Sequence, residues 1–142
     1  MMKKDIPVIF PNLNLLPGIF KKYPGILAVY LFGSAASGNV HAESDLDLAI
    51  VPKHSNLHLQ KLDILTDLAR EGFCNVDLVF LDTNDIVLKF ESIRQNRLIY
   101  HAEGFDAGDF YSLILRQYFD FQPYLKIQRE ACKRRILTDG QD

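Results

Sequence analysis

Two aspartates, Asp45 and Asp47, stand in the apolar run Ser44-Asp45-Leu46-Asp47-Leu48-Ala49-Ile50-Val51. Aspartate is a poor strand residue, so a pair of them here needs a reason. Strand alternation sends positions i and i+2 to the same face and sets two like charges a few ångströms apart. That arrangement is unfavourable unless a cation neutralises it. A divalent metal held by carboxylate oxygens is the chemistry that fits. Upstream, Val29-Tyr30-Leu31-Phe32 runs into the small-residue turn Gly33-Ser34-Ala35-Ala36-Ser37-Gly38. Glycine lets backbone approach a ligand closely, and Ser34 offers both a hydroxyl and an N–H to a phosphate. Gly-Ser by itself ends many strands, and the Gly-Lys-Ser/Thr of a Walker loop is missing.

A third carboxylate, Asp77, interrupts another apolar run, Asn75-Val76-Asp77-Leu78-Val79-Phe80. If that strand neighbours the Asp45/Asp47 strand, three carboxylates converge. Bare, they are strongly unfavourable in a half-buried place. With one or two Mg²⁺ ions they become oxygen ligands for a triphosphate site. Asp77 is also suited to act as general base on an attacking hydroxyl, while the glycine-serine turn holds the β- and γ-phosphates as pyrophosphate departs. The plainer reading has Asp45 capping a strand end and Asp47 facing solvent on an edge. Asp77 weighs against it.

The elements that must position these residues follow from hydrophobic patterning. Ile26 to Phe32 is an apolar run of strand length, a buried central strand. Ser34 to Gly38 is a turn, Asn39 to Ser44 a polar loop, and Leu46 to Val51 a second strand closed by Pro52. Val76 to Leu81 makes a third strand. Around them, Pro11 to Lys22 reads as a short amphipathic helix that Pro17 allows to begin late. Leu57 to Glu71 reads as a helix with an apolar stripe of Leu57, Leu62, Leu65, Leu68 and Ala69, stopped by Gly72. Asp82 or Thr83 is expected to cap a helix from Asn84 to about Gln95. Arg97 to His101 is either a short strand or a turn. Phe105 to Leu137 is helical in composition, with Pro123 a kink or break.

A chain of 142 residues suits one compact domain, and no repeat or low-complexity linker divides it. The expected organisation is a single domain over 1–142, with a core of about 26–81 and a helical extension of about 105–137. A formal net charge of -2 gives no global attraction to nucleic acid or membrane. The basic run Lys126, Arg129, Lys133, Arg134, Arg135 reads as a solvated helix face, so direct nucleic-acid binding is not expected. Cys74 and Cys132 lack metal spacing and read as buried reduced thiols. His41, His54, His58 and His101 lack ligand spacing with one another, and Glu43 reads as a loop charge. Neither a signal peptide nor a membrane span is visible, which makes the expected location cytoplasmic. The aromatics from Phe105 to Tyr124 fit either a partner surface or the cover of the sheet.

Gly33-Ser34, the Asp45-x-Asp47 pair and the later Asp77 resemble the signature of the nucleotidyltransferase superfamily that includes DNA polymerase β. The small size and the form Phe-Gly-Ser-x-Ala-x-Gly…Ser-Asp-x-Asp-Leu are similar to the minimal nucleotidyltransferases, or MNT family, over about Ile26 to Leu81. Arg97-Leu98-Ile99-Tyr100 and the aromatic segment after it resemble the tail of the MntA-type antitoxins. The resemblance implies an α/β (α+β) nucleotidyltransferase fold, a mixed sheet flanked by helices. It also implies Mg²⁺-dependent transfer of AMP from ATP. In the antitoxin branch the acceptor is a tyrosine of a partner HEPN-domain ribonuclease toxin, which AMP silences. By residue, the family pattern assigns Gly33 and Ser34 to the phosphates, and Asp45, Asp47 and Asp77 to metal and catalysis. Many relatives carry arginine where this chain has Ser37, so one charge-assisted phosphate contact is either missing or supplied by another residue. Two alternatives stay open: an antitoxin acting by binding alone, and nucleotidyl transfer to a small molecule such as an aminoglycoside.

Overall fold

The computed structural model describes residues 13–33 and 46–140, with side chains placed as far as 135. Ser34 to Asp45, a stretch that includes Ser37, His41 and Glu43, lies outside the described residues, as do residues 1–12. The chain divides into two compact units, residues 1–106 and 107–142.

The first unit is a four-stranded sheet with helices around it, the strands lying in the order third, second, first and fourth in sequence. A short 3₁₀ turn, Leu13–Leu15, leads into α1, Leu16–Phe20. Pro17 sits in the first turn of α1, where its missing N–H has no helical partner to lose. Strand β1, Ile26–Phe32, matches the apolar run residue for residue. It pairs antiparallel with β2, Leu46–Pro52, and on its other side antiparallel with β4, Arg97–His101. Strand β3, Val76–Phe80, runs parallel to β2. The sheet is therefore mixed, as the family resemblance implies, and Arg97 to His101 resolves as an edge strand.

A parallel pair needs a crossover, which here is a 3₁₀ segment, Ser55–Gln60, followed by α2, Lys61–Arg70. Leu46, Leu48, Ile50, Val29, Leu31, Leu78 and Phe80 share one face of the sheet and form the core with Leu16, Phe20, Leu57, Ile64 and Leu68. This corrects the expected stripe on α2. Leu62 is 74% exposed and Ala69 is exposed, whereas Ile64 is fully buried. The opening turn is 3₁₀, at about 3.0 residues per turn, which shifts the phase between Leu57 and α2. Tyr23, in the turn after α1, donates its hydroxyl to the Asp67 carboxylate, which also accepts from Arg70 Nη1 at 3.1 Å. Burial first, and then the bond to Asp67 and its negative charge, push the Tyr23 hydroxyl well above its ordinary pKa.

Helix α3, Ile86–Ile93, packs on β1 and buries Ser92 and Ile93. Its N-cap is Asp85, not Asp82 or Thr83: the Leu88 N–H donates to Asp85 Oδ1 at 3.1 Å. Thr83 instead accepts the Asp85 N–H at 3.2 Å, and so orients the cap. The cysteines also depart from expectation, since both are exposed. Cys74 lies in the bend before β3, beside the buried Phe73, which takes the core position.

The second unit is α4, Ala107–Gly140, which continues through Pro123 without a break in the helix. Proline at 123 leaves the Phe119 carbonyl without its helical donor. Phe119 is 57% exposed, so water reaches that end of the turn. Among the described residues no helix is long and apolar enough to cross a membrane.

Candidate functional site

Where β1 ends, Gly33 has φ +75°, a conformation that L side chains rarely adopt. A Cβ at that position would overlap Oδ2 of Asp47 and stand 3.2 Å from its Cγ. The absence of a side chain at 33 is therefore what allows the Asp47 carboxylate to lie against the turn. Strand pairing brings the two together, since Phe32 is the register partner of Asp47.

Asp47 is in turn the register partner of Asp77 on β3. Register partners on parallel strands share a face, so both carboxylates leave the sheet on the same side, opposite the Leu46/Leu48/Ile50 core. Asp47 is half-buried and Asp77 exposed. On adjacent strands, about 4.8 Å apart, two ionised carboxylates on one face repel each other. The start of β2 is tied to the approach of β3 by the Leu46 N–H, which donates to the Asn75 carbonyl at 2.8 Å. That bond fixes the relative heights of Asp47 and Asp77.

Of the five site residues expected from the sequence, the structure brings Gly33, Asp47 and Asp77 together. Ser34 and Asp45 lie outside the described residues. Among the described residues there is no group of three or more His, Cys, Asp or Glu side chains arranged to hold a metal. Asp47 and Asp77 supply hard carboxylate oxygens suited to Mg²⁺, and their mutual repulsion favours a cation between them. The donor set fits the ion.

Tyr30 was not singled out from the sequence. It faces Ala49 across the β1–β2 pairing, and so shares the carboxylate face one step further into the sheet. It is fully buried, and burial pushes its hydroxyl up to about 12. Alternation from Phe32 gives its face, but only the register gives its neighbour. His58 stands apart from this face. His58 lies between Asp82, with Nε2 at 2.8 Å from Oδ1, and the Phe80 ring, whose centroid is 4.2 Å away. Tyr100 contacts Phe20, ring centroids 6.4 Å apart, and packs against the core.

Residues 14–104 match the family described as polymerase beta, nucleotidyltransferase. The protein adenylyltransferase MntA of Shewanella oneidensis is 28% identical, over 82% of this chain and 80% of the relative. The protein of the same name from Aphanizomenon flos-aquae is 26% identical, over 80% of this chain and 83% of the relative. Among solved structures, a chain of a toxin–antitoxin crystal structure with AMP-PNP has a TM-score of 0.69 at 23% identity, covering 89% of this chain and 99% of that one. A chain of the tri-AMPylated Shewanella oneidensis HEPN toxin in complex with MNT antitoxin has a TM-score of 0.63 at 21% identity, covering 88% and 95%. At those identities the two structures speak for the fold, a mixed sheet with flanking helices and a helical tail. The family match spans β1 through β4 and contains every residue of the carboxylate face, and this chain belongs to the polymerase β nucleotidyltransferase family.

Proposed function

We propose that this chain is an adenylyltransferase antitoxin: it transfers AMP from ATP to a tyrosine hydroxyl of a partner HEPN toxin and silences it. The observation that carries the reading is the register pairing of Asp47 with Asp77 beside the Gly33 turn. Family membership and two relatives named protein adenylyltransferase support it. Residues 1–142 act as one functional domain, with the catalytic core in about 26–81.

Asp45, Asp47 and Asp77 are the residues that would hold Mg²⁺. Bound there, the ion supplies positive charge that offsets the carboxylates and the triphosphate. Gly33 and Ser34 are the residues that would hold the β- and γ-phosphates, with close backbone approach at the glycine and a hydroxyl from the serine. The tyrosine oxygen forms a bond to the α-phosphorus, the bond from that phosphorus to the bridging oxygen breaks, and pyrophosphate leaves. Asp77 takes the hydroxyl proton, a role its exposure permits, because the acceptor must arrive from solvent. Asp47, half-buried against the turn, is the fixed member of the pair.

The test is the intact mass of the partner toxin after incubation with this chain, ATP and Mg²⁺. The expected result is a gain of one or more AMP masses. Changing Asp45→Asn and Asp47→Asn together should abolish it, because an amide is the weaker ligand for a hard cation. The proposal fails if none of the four nucleoside triphosphates gives a mass shift. A double variant that still protects cells from the toxin would point to binding alone.

A further inference from the structure

We propose that one face of α4 is the docking surface for the toxin, which lays an amphipathic helix with acidic flanks along it. This rests on the antitoxin reading above. Leu113, Phe121, Tyr124 and Ile127 are large apolar residues left 43%, 36%, 63% and 63% exposed. At about 100° per residue, all four and Ala131 fall within about 60° of a line through Tyr124. From Leu113 to Ala131 that stripe is about 27 Å long. The Phe121 and Tyr124 rings lie 6.0 Å apart and make its widest part. Gln117 and Gln128 occupy the same face, and Asp120 adds one negative charge to it.

The spacing identifies the shape of the occupant. Gln117, Asp120, Tyr124, Ile127, Ala131 and Arg134 alternate steps of three and four residues. That is the repeat by which one helix packs lengthwise on another. Four large apolar side chains exposed along one line of a helix, with only Gln117, Asp120 and Gln128 between them, are more than a helix carries without a partner.

The charges identify its chemistry. By the same angular count Arg116, Arg134 and Arg135 lie on or beside the stripe, against Asp120 within it, while Lys126, Arg129 and Lys133 project from the other side of the helix. A second copy of this helix fits poorly. Packed in parallel, Arg134 and Arg135 meet their own counterparts. Packed antiparallel with Tyr124 against Ile127, Arg135 comes opposite Arg116. Both arrangements set cation against cation, which is destabilising across a helix pair. A foreign helix with carboxylates beside its apolar seam removes the conflict.

The experiment measures binding of the full-length chain to the purified toxin, together with AMP transfer. One variant is Tyr124→Ser with Ile127→Ser, and another is Arg134→Glu with Arg135→Glu. All four sites are exposed, so melting temperature and helix content should match the parent. Losing two seam anchors should weaken toxin binding by about 100-fold or more. The charge reversal should weaken it by about tenfold and reduce its salt dependence. In both variants transfer should fail at low toxin and recover at saturating toxin, a change in KM without a matching change in kcat. Binding within threefold of the parent in both variants overturns the proposal. So does a variant that loses self-association or RNA binding while keeping its hold on the toxin. If the parent chain itself neither binds nor modifies the toxin, the antitoxin reading falls and the docking surface falls with it.

Discussion

Replacing Gly33 with alanine separates the turn's backbone from its contact with Asp47. At φ +75°, an L residue costs about 1–2 kcal/mol more than glycine. The added methyl also overlaps Asp47 Oδ2 and stands 3.2 Å from Cγ and 3.4 Å from Cβ, so the carboxylate must swing away or the turn must open. Gly104→Ala is the matched control, because Gly104 has φ +89° with nothing within 4 Å of a Cβ. Gly104→Ala should lose about 1–2 kcal/mol, a fall in melting temperature of about 3–10 °C, and Gly33→Ala at least as much because of the added overlap. Only Gly33→Ala should lose activity. Moving a positioned group by about 1 Å costs on the order of 100-fold in rate. The assay is single-turnover AMP transfer to the toxin at saturating ATP and Mg²⁺, alongside thermal unfolding of each variant. Transfer by Gly33→Ala within threefold of the parent refutes the steric argument. An equal loss in Gly104→Ala refutes it differently, by tracing the effect to backbone strain alone.

Two further outcomes test the fold around the site. Ile64→Ala should destabilise by about 2–5 kcal/mol, whereas Leu62→Ala should change stability by less than about 0.5 kcal/mol, both measured by urea unfolding. Equal effects would put α2 back in the phase of a continuous helix from Leu57. Tyr23→Phe removes a hydrogen bond to a carboxylate and should cost about 1.5–3 kcal/mol at neutral pH. The fold raises the pKa of this hydroxyl, so its contribution is fully present below the unfolded value, about 10, and is lost as pH rises above it. Tyr23→Phe should therefore narrow its deficit against the parent above pH 10, as followed by melting temperature. A constant deficit across that range would mean that Tyr23 does not ionise on unfolding.

The positions of β1, β2 and β3 are legible because apolar runs of strand length are bounded by Gly33, Pro52 and the polar stretch before Val76. The pairing of Asp47 with Asp77 is not legible in the same way. It depends on the crossover returning the chain parallel and in one register, and local pattern carries neither fact. The phase of α2 was lost because a 3₁₀ turn and an α-helix look alike in a run of leucines and polar residues. The cap of α3 was displaced because Asp82, Thr83 and Asp85 are chemically near-equivalent candidates. Packing of α3 on β1 decides which of them begins the helix. In α4 the apolar content predicts burial without saying by whom, and the exposure of Tyr124 and Ile127 is what the sequence left open.

The sheet order gives Asp77 a second consequence, for how the protein behaves when crowded. Among the described strands β3 has a neighbour on one side only, and Val76-Asp77-Leu78-Val79-Phe80 without its charge is a β-prone apolar segment. An open edge of that composition is a template on which another chain can add a strand. The short length of β3 and the exposed carboxylate at Asp77 oppose that addition, since stacking copies in register would stack the charge. The residue proposed to take a proton in the reaction thus also keeps the molecules apart. Substitutions chosen to silence the site by neutralising Asp77 remove a guard against edge-to-edge aggregation at the same time.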